Sequence, residues 1–172
     1  FGNGLIIGEP SGAQSGRVQQ LARLLQKAGF AATVSEQIQK DVWYKLWGNL
    51  TFNPISALAR ATLVDICRYQ PTRELAAAMM TEAQAVAEKL GIRFRVSLEQ
   101  RIAGAEKVGA HKTSMLQDVE AGRDPEIDAL VGAVIELGEL VGVPTPHIAT
   151  VYALMKLLGR TLREEGVYIR AQ

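Results

Sequence analysis

The rhythm of hydrophobic and polar positions changes near residue 39, and the change divides the chain. Before it, the apolar run Leu5 to Gly8 predicts a short strand, followed by a turn with Pro10, Ser11, Gly12 and Gly16. Val18, Leu21, Leu24 and Leu25 then recur at the spacing of one buried helical stripe. Gly29 is placed to end that helix, and Phe30 to Val34 reads as a second strand. The result is a βαβ fragment, a unit that belongs to larger, mostly parallel sheets covered by helices on both faces. Because the first residue is Phe1 rather than Met, the earlier strands are expected upstream and the chain is expected to begin mid-protein.

From about Gln39 onward the pattern is helix after helix, with no clear strand signal. Leu75, Met79, Ala83, Val86 and Leu90 recur every three or four residues and stop at Gly91. Asp124-Pro125 reads as an N-cap followed by proline at the first helical position, with Ile127, Leu130, Val131, Val134, Leu137 and Val141 continuing one apolar face. Thr145-Pro146 repeats the device before Ile148, Val151, Met155, Leu158 and Leu162, with a polar tail near Arg163 to Gly166. Trp43, Trp47 and the methionines read as core residues, with an interface as the alternative for Met79-Met80 should they lie on an exposed flank.

The stretch from Asp41 to Pro54 breaks the pattern informatively. Lys45, Asn49 and Asn53 drift by about 40° at each step and so share one helical stripe, with side chains about 6 Å apart along the axis. Trp43, Leu46, Trp47 and Leu50 form the neighbouring arc, so the stripe borders an apolar face. Asparagine is a poor helix-interior residue, and two of them one turn apart need a reason. One reading is a cleft in which an ammonium and two carboxamides meet a small oxygen-rich ligand such as a carbonyl compound. A lysine beside apolar walls can have its pKa lowered and deliver a proton to a developing oxyanion. The plainer alternative is a solvated helix edge, with the asparagines capping where Pro54 disturbs the helix.

Two further segments carry candidate chemistry. Ser114 followed by Gln117 matches a capping box, which makes Ser114 an N-cap, and the adjoining helix N-terminus could also receive a carboxylate. Glu126 stands in Asp124-Pro125-Glu126-Ile127-Asp128, where an acidic first turn ordinarily complements the helix dipole.

Composition narrows the classes. The chain has 172 residues, about one domain's worth, with 48% hydrophobic and 22% charged residues, which sets aside disordered and disulfide-scaffold classes. A net charge of +1 lacks the basic excess that phosphate-backbone binding favours, so no nucleic acid partner is expected. Cys67 is the single cysteine, which excludes an internal disulfide and multi-thiolate metal sites and fits a cytoplasmic setting; it reads as a small buried hydrophobe. His111 and His147 fit no common zinc spacing, and no metal is expected. No apolar run reaches membrane-spanning length.

In order and spacing, three motifs resemble the C-terminal domain of the ketopantoate reductase (2-dehydropantoate 2-reductase) family. They are Trp43-x-Lys45-Leu46-x-x-Asn49-x-x-x-Asn53-Pro54-x-x-Ala57-Leu58, Ser114-Met115-Leu116-Gln117-Asp118 and Glu126-Ile127-Asp128. The resemblance implies a mainly α fold: a helical domain of the 6-phosphogluconate-dehydrogenase-like kind over residues 39–172, preceded over residues 1–38 by a βαβ remnant of a Rossmann-type α/β domain. It implies an NADPH-dependent reduction of the ketone of 2-dehydropantoate to pantoate. Lys45 would be the general acid and Glu126 its catalytic companion, with Asn49, Asn53 and Ser114 binding substrate. NADPH would be held upstream of Phe1, because Gly2-Asn3-Gly4 lacks the third glycine and the preceding strand of a dinucleotide fingerprint. The fragment alone is therefore expected to be inactive. The expected partner is a small 2-oxoacid, with no membrane association and with a homodimer through the helical domain as a candidate assembly. Two alternatives stand: another hydroxyacid dehydrogenase of the same architecture, and a non-catalytic helical dimerisation module marked by exposed apolar surface from Ile148 to Leu162.

Overall fold

The computed structural model describes residues 3–164, and the chain separates into two units that divide between Lys45 and Leu46. The first contains strand β1 (Gly4–Ile7), helix α1 (Gly16–Lys27) and strand β2 (Ala31–Val34). The strands pair in parallel, Gly4 with Ala31 through Ile7 with Val34, as the crossover helix between them requires. Ser15 caps α1 by accepting from the Val18 amide at 3.2 Å. Gly29, at φ +91°, turns the chain out of the helix through a conformation side chains disfavour.

The predicted apolar stripe of α1 is corrected in part. Val18 is buried, but its companion is Ala22, whereas Leu21 and Leu24 are exposed. A sheet of two strands offers a narrow face, and within this unit it covers only one edge of the helix.

Helix α2 (Ile38–Ala59) starts in the first unit and continues without interruption into the second, passing through Pro54. Proline there removes one backbone donor without ending the helix, so the asparagines are helix-interior residues and the reading of them as caps is overturned.

The second unit is helical throughout its described residues. Besides the larger part of α2 it holds α3 (Leu63–Arg68), α4 (Gln70–Lys89), α5 (Leu98–Val108), α6 (Ser114–Glu120), a π-helical turn (Asp128–Gly132), α7 (Ala133–Val141) and α8 (Pro146–Glu164). Helix α4 is the central element, packing on α3, α5, α7 and α8. Its stripe at Ala76, Met79, Met80, Ala83, Val86 and Ala87 is fully enclosed, so the methionines are core residues as expected and the alternative of an exposed flank at Met79-Met80 is set aside. Those two side chains fill the core because helices pack on α4 from several sides.

Trp47, with no exposed surface, fastens α2 into this core. Its Nε1 donates to the Met80 carbonyl at 2.8 Å, and its ring stacks on Phe94 with centroids 4.1 Å apart. Cys67 is buried as expected, with its thiol pushed above the usual range by burial and, secondarily, by Glu106.

Helix α8 begins at Pro146 as expected, but its N-terminus is completed by a residue far away in sequence. Glu82 accepts from the amides of His147 and Ile148 at 3.0 Å each and from His147 Nδ1 at 2.6 Å. The end of the polar tail expected near Gly166 lies outside the described residues. No described helix is long and apolar enough to cross a membrane.

Candidate functional site

Helix periodicity brings Lys45, Asn49 and Asn53 onto one face of α2. Lys45 is exposed, Asn49 half-buried and Asn53 buried, so the stripe descends from solvent toward the apolar interior. Asn53 is only 7% exposed.

Ser114 is not the N-cap of its helix. Thr113, in extended conformation, caps α6 by accepting from the Leu116 amide at 3.2 Å. The Gln117 carboxamide donates to the Lys112 carbonyl at 3.0 Å, so the expected capping box is replaced. The cap shifts by one residue because Thr113 can bury its methyl group while its hydroxyl bonds the helix; Ser114, in the first turn, keeps an exposed hydroxyl.

Glu126 also stands differently from expectation. Residues 123–126 are irregular, and a π-helical turn at Asp128–Gly132 replaces the α-helix expected after Asp124-Pro125. A π turn shifts the register of the helix after it, and the buried set becomes Ile127, Val131, Val134 and Gly138, while Leu130 and Leu137 move partly outward. Glu126 is exposed just before this turn.

The turn is held by Asp128 of the third motif together with two residues that sequence reading did not single out, Tyr152 and Lys156. Asp128 Oδ1 accepts from the Tyr152 hydroxyl at 2.5 Å, and Lys156 Nζ reaches both carboxylate oxygens at 3.0 and 2.9 Å. Tyr152 and then Lys156 hold the Asp128 carboxyl below its ordinary range, and Asp128 in return pushes both partners up. Gly132 faces the Tyr152 ring, where a Cβ would come within 3.3 Å. Nearby, Arg163 forms an ion pair with Asp124 at 2.5 Å. Asp124, Asp128, Lys156 and Arg163 border a small cavity of ≈ 90 Å³ that also touches Met155 and Gly159. A larger open groove of ≈ 640 Å³ runs past Gln84, Arg93 and Phe94. Neither cavity is lined by Asn49, Asn53, Ser114 or Glu126.

The family model for the C-terminal domain of ketopantoate reductase PanE/ApbA matches residues 37–159. The chain belongs to the ketopantoate reductase family. It is 54% identical over 167 residues to a 2-dehydropantoate 2-reductase from Mesorhizobium japonicum, covering 97% of this chain and 50% of that protein. A 2-dehydropantoate 2-reductase from Archaeoglobus fulgidus is 32% identical over 80% of this chain and 46% of its own length. The crystal structure of 2-dehydropantoate 2-reductase from Methylococcus capsulatus superposes with a TM-score of 0.86 at 34% identity, covering 94% of this chain and 56% of that one. The chain therefore spans about half the length of the ketopantoate reductases it matches, and its helical domain with a short parallel βαβ piece is their C-terminal architecture.

The βαβ piece does not fit a dinucleotide. At the N-terminus of α1, where a phosphate would meet backbone amides, Glu9 is held by Ser15 at 2.5 Å and by Arg17. Arg17, then Ser15, keeps the Glu9 carboxyl below its usual range, so this helix start is occupied by a carboxylate–guanidinium pair rather than left open to a phosphate. Among the described residues no group of His, Cys, Asp and Glu is arranged to hold a metal ion.

Proposed function

We propose that this chain is the substrate-side portion of an NADPH-dependent 2-dehydropantoate 2-reductase that produces pantoate in the cytoplasm. The observation that carries the reading is the α2 stripe: a lysine and two asparagines, one turn apart, on an unbroken helix within the residues that the family model matches.

In this reading the Lys45 ammonium, a donor with no acceptor, bonds the ketone oxygen. When that carbon is reduced and negative charge gathers on the oxygen, the proton passes from Nζ to oxygen, giving the 2-hydroxyacid and a neutral amine that regains its proton from solvent. Asn49 and Asn53 each offer two donors and one acceptor, which suits them to orient a substrate bearing hydroxyl and carbonyl oxygens. Ser114, relieved of capping by Thr113, donates to the substrate's carboxylate side. Glu126 accepts from the ammonium or from a substrate hydroxyl and fixes its orientation. The reductant and its preference for NADPH belong to a nucleotide domain outside these residues, so the 172-residue chain alone is expected to show no turnover.

The test is steady-state reduction of 2-dehydropantoate by a full-length protein carrying this chain. Lys45→Ala is expected to lower kcat by about 100-fold or more, the usual range for removing a general acid, while the affinity for NADPH is retained. A homodimer through the helical domain is proposed on the strength of Leu154 and Leu157, exposed on α8. Sedimentation equilibrium is expected to show a dimer, and a strict monomer at high concentration would contradict it.

A further inference from the structure

Tyr152, Lys156, Gly159 and Arg163 follow one another along α8 at spacings of four, three and four. At 3.6 residues per turn they stay within about 60° of one another and form a stripe about 16 Å long. This stripe meets the segment that carries Glu126. Toward its C-terminal end Arg163 Nη1 bonds both oxygens of Asp124, at 2.5 and 2.6 Å. Toward the other end Tyr152 and Lys156 hold Asp128. Gly159 lies between them, where a Cβ would stand 3.6 Å from Asp124 Oδ1 and 3.7 Å from Pro125 Cδ, so a longer side chain would meet the segment. Glu126 is thus midway between two acidic neighbours that α8 holds. It is also the middle residue of a three-residue turn, closed by the Ile127 amide donating to the Pro125 carbonyl at 2.7 Å. A turn this small does not fix its own place, and the cavity bordered by Pro125, Ile127 and Met155 shows that close packing does not fix it there either.

We propose that Tyr152 and Arg163 are positioning residues for Glu126, gripping the chain two residues to either side of it from one stripe of α8. This inference rests on the reductase reading above, in which Glu126 orients the ammonium or a substrate hydroxyl. The contacts are open to solvent, Arg163 and Asp124 being 56% exposed each, and exposed ion pairs add little to stability. Their value lies in geometry. Asp124, Glu126 and Asp128 stand at alternate positions, and pairing the outer two with Arg163 and Lys156 offsets the repulsion that three neighbouring carboxylates would exert on one another. The Tyr152 ring lies against Gly132 of the π-helical turn, so its hydroxyl reaches Asp128 from a braced position. A contact on each side limits the turn between them to placements that satisfy both. A group that acts on reacting atoms loses rate when it is misplaced by about 1 Å, so contacts weak in stability can be strong in turnover.

The experiment measures kcat/KM for 2-dehydropantoate in the full-length protein, with each variant made alone and again together with Glu126→Ala. Tyr152→Phe, which deletes the hydroxyl and retains the ring, and Arg163→Met are each expected to lower kcat/KM about 3- to 30-fold, the coupling usual within one hydrogen-bonded network. In the Glu126→Ala background neither should lower it by more than about twofold, because a residue that acts through the glutamate has nothing left to place. Structural damage would lower kcat/KM in both backgrounds. Equal losses with and without the glutamate therefore overturn the inference, and so does an unchanged kcat/KM in either single variant. Arg163→Met removes an exposed contact and covers the case in which Tyr152→Phe fails to fold. A Glu126→Ala variant with unimpaired kcat/KM also overturns the inference, and it leaves the Lys45 reading standing. A wild-type protein that does not reduce 2-dehydropantoate, or a Lys45→Ala variant with full turnover, refutes the reductase reading itself, and the positioning assignment falls with it.

Discussion

The Tyr152 hydroxyl donates to Asp128 Oδ1 at 2.5 Å and so ties α8 to the π-helical turn just after Glu126. The pairing has a pH signature. Asp128 is held below its ordinary range by Tyr152 and then Lys156, so its contribution to stability is present above the unfolded carboxyl's pKa of about 4 and is lost as pH falls through the lower, folded value. Tyr152 is pushed up by Asp128, so its contribution is full below about pH 10 and is lost as pH rises through the higher, folded value. Asp128→Asn is expected to lower Tm by about 1–4 °C near neutral pH, with the difference shrinking toward zero below about pH 3. Thermal unfolding from about pH 3 to about pH 9 measures this, and a gap that stays constant across the range would contradict it.

Thr113 and Ser114 are neighbours with separate tasks. Thr113→Ala removes a helix cap and is expected to cost about 1 kcal/mol in urea unfolding. Ser114→Ala is expected to change stability by less than about 0.5 kcal/mol while raising KM for the 2-oxoacid in the full-length protein. If Ser114→Ala destabilises as much as Thr113→Ala does, the division of labour is wrong.

Trp47 is the structural fastening of the helix that bears the polar stripe. Trp47→Phe deletes the bond to the Met80 carbonyl and is expected to cost about 1 kcal/mol, while Trp47→Ala also opens a cavity and is expected to cost about 3–5 kcal/mol. Denaturant titration measures both. Equal costs would mean that ring burial contributes little here.

Glu82 completes a helix that begins far along the chain, accepting from an amide 65 residues later in sequence. Glu82→Ala strips two backbone donors and the His147 ring of their acceptor and is expected to cost about 1–2 kcal/mol, as loss of a strong cap does. Hydrogen exchange at the first turn of α8 should accelerate along with the loss of stability. Unchanged exchange there would contradict the capping role.

Local signals read well and remote ones did not. The periodicity from Leu75 to Leu90 with its stop at Gly91 gave α4, and Thr145-Pro146 marked the start of α8, because helix stripes and terminators act within a few residues. The polar stripe of α2 was visible for the same reason. Periodicity placed Met79 on the buried face but not Met80, whose burial depends on how many helices pack around α4. Leu21 and Leu24 failed in the opposite sense, because a stripe shows which face is apolar but not what covers it. The π turn escaped notice, as its spacing at Ile127 and Val131 also suits an α-helix. Glu82 and Tyr152 act on partners distant in sequence, at His147 and Asp128, and no short-range pattern announces such pairs.

Everything proposed for the reaction depends on Lys45 delivering the proton to a 2-oxoacid's ketone oxygen. The most direct test is the kcat of the Lys45→Ala variant of the full-length protein with saturating 2-dehydropantoate and NADPH. A fall of about 100-fold or more with NADPH affinity preserved is the expected result, and a kcat equal to that of the unaltered protein would contradict it.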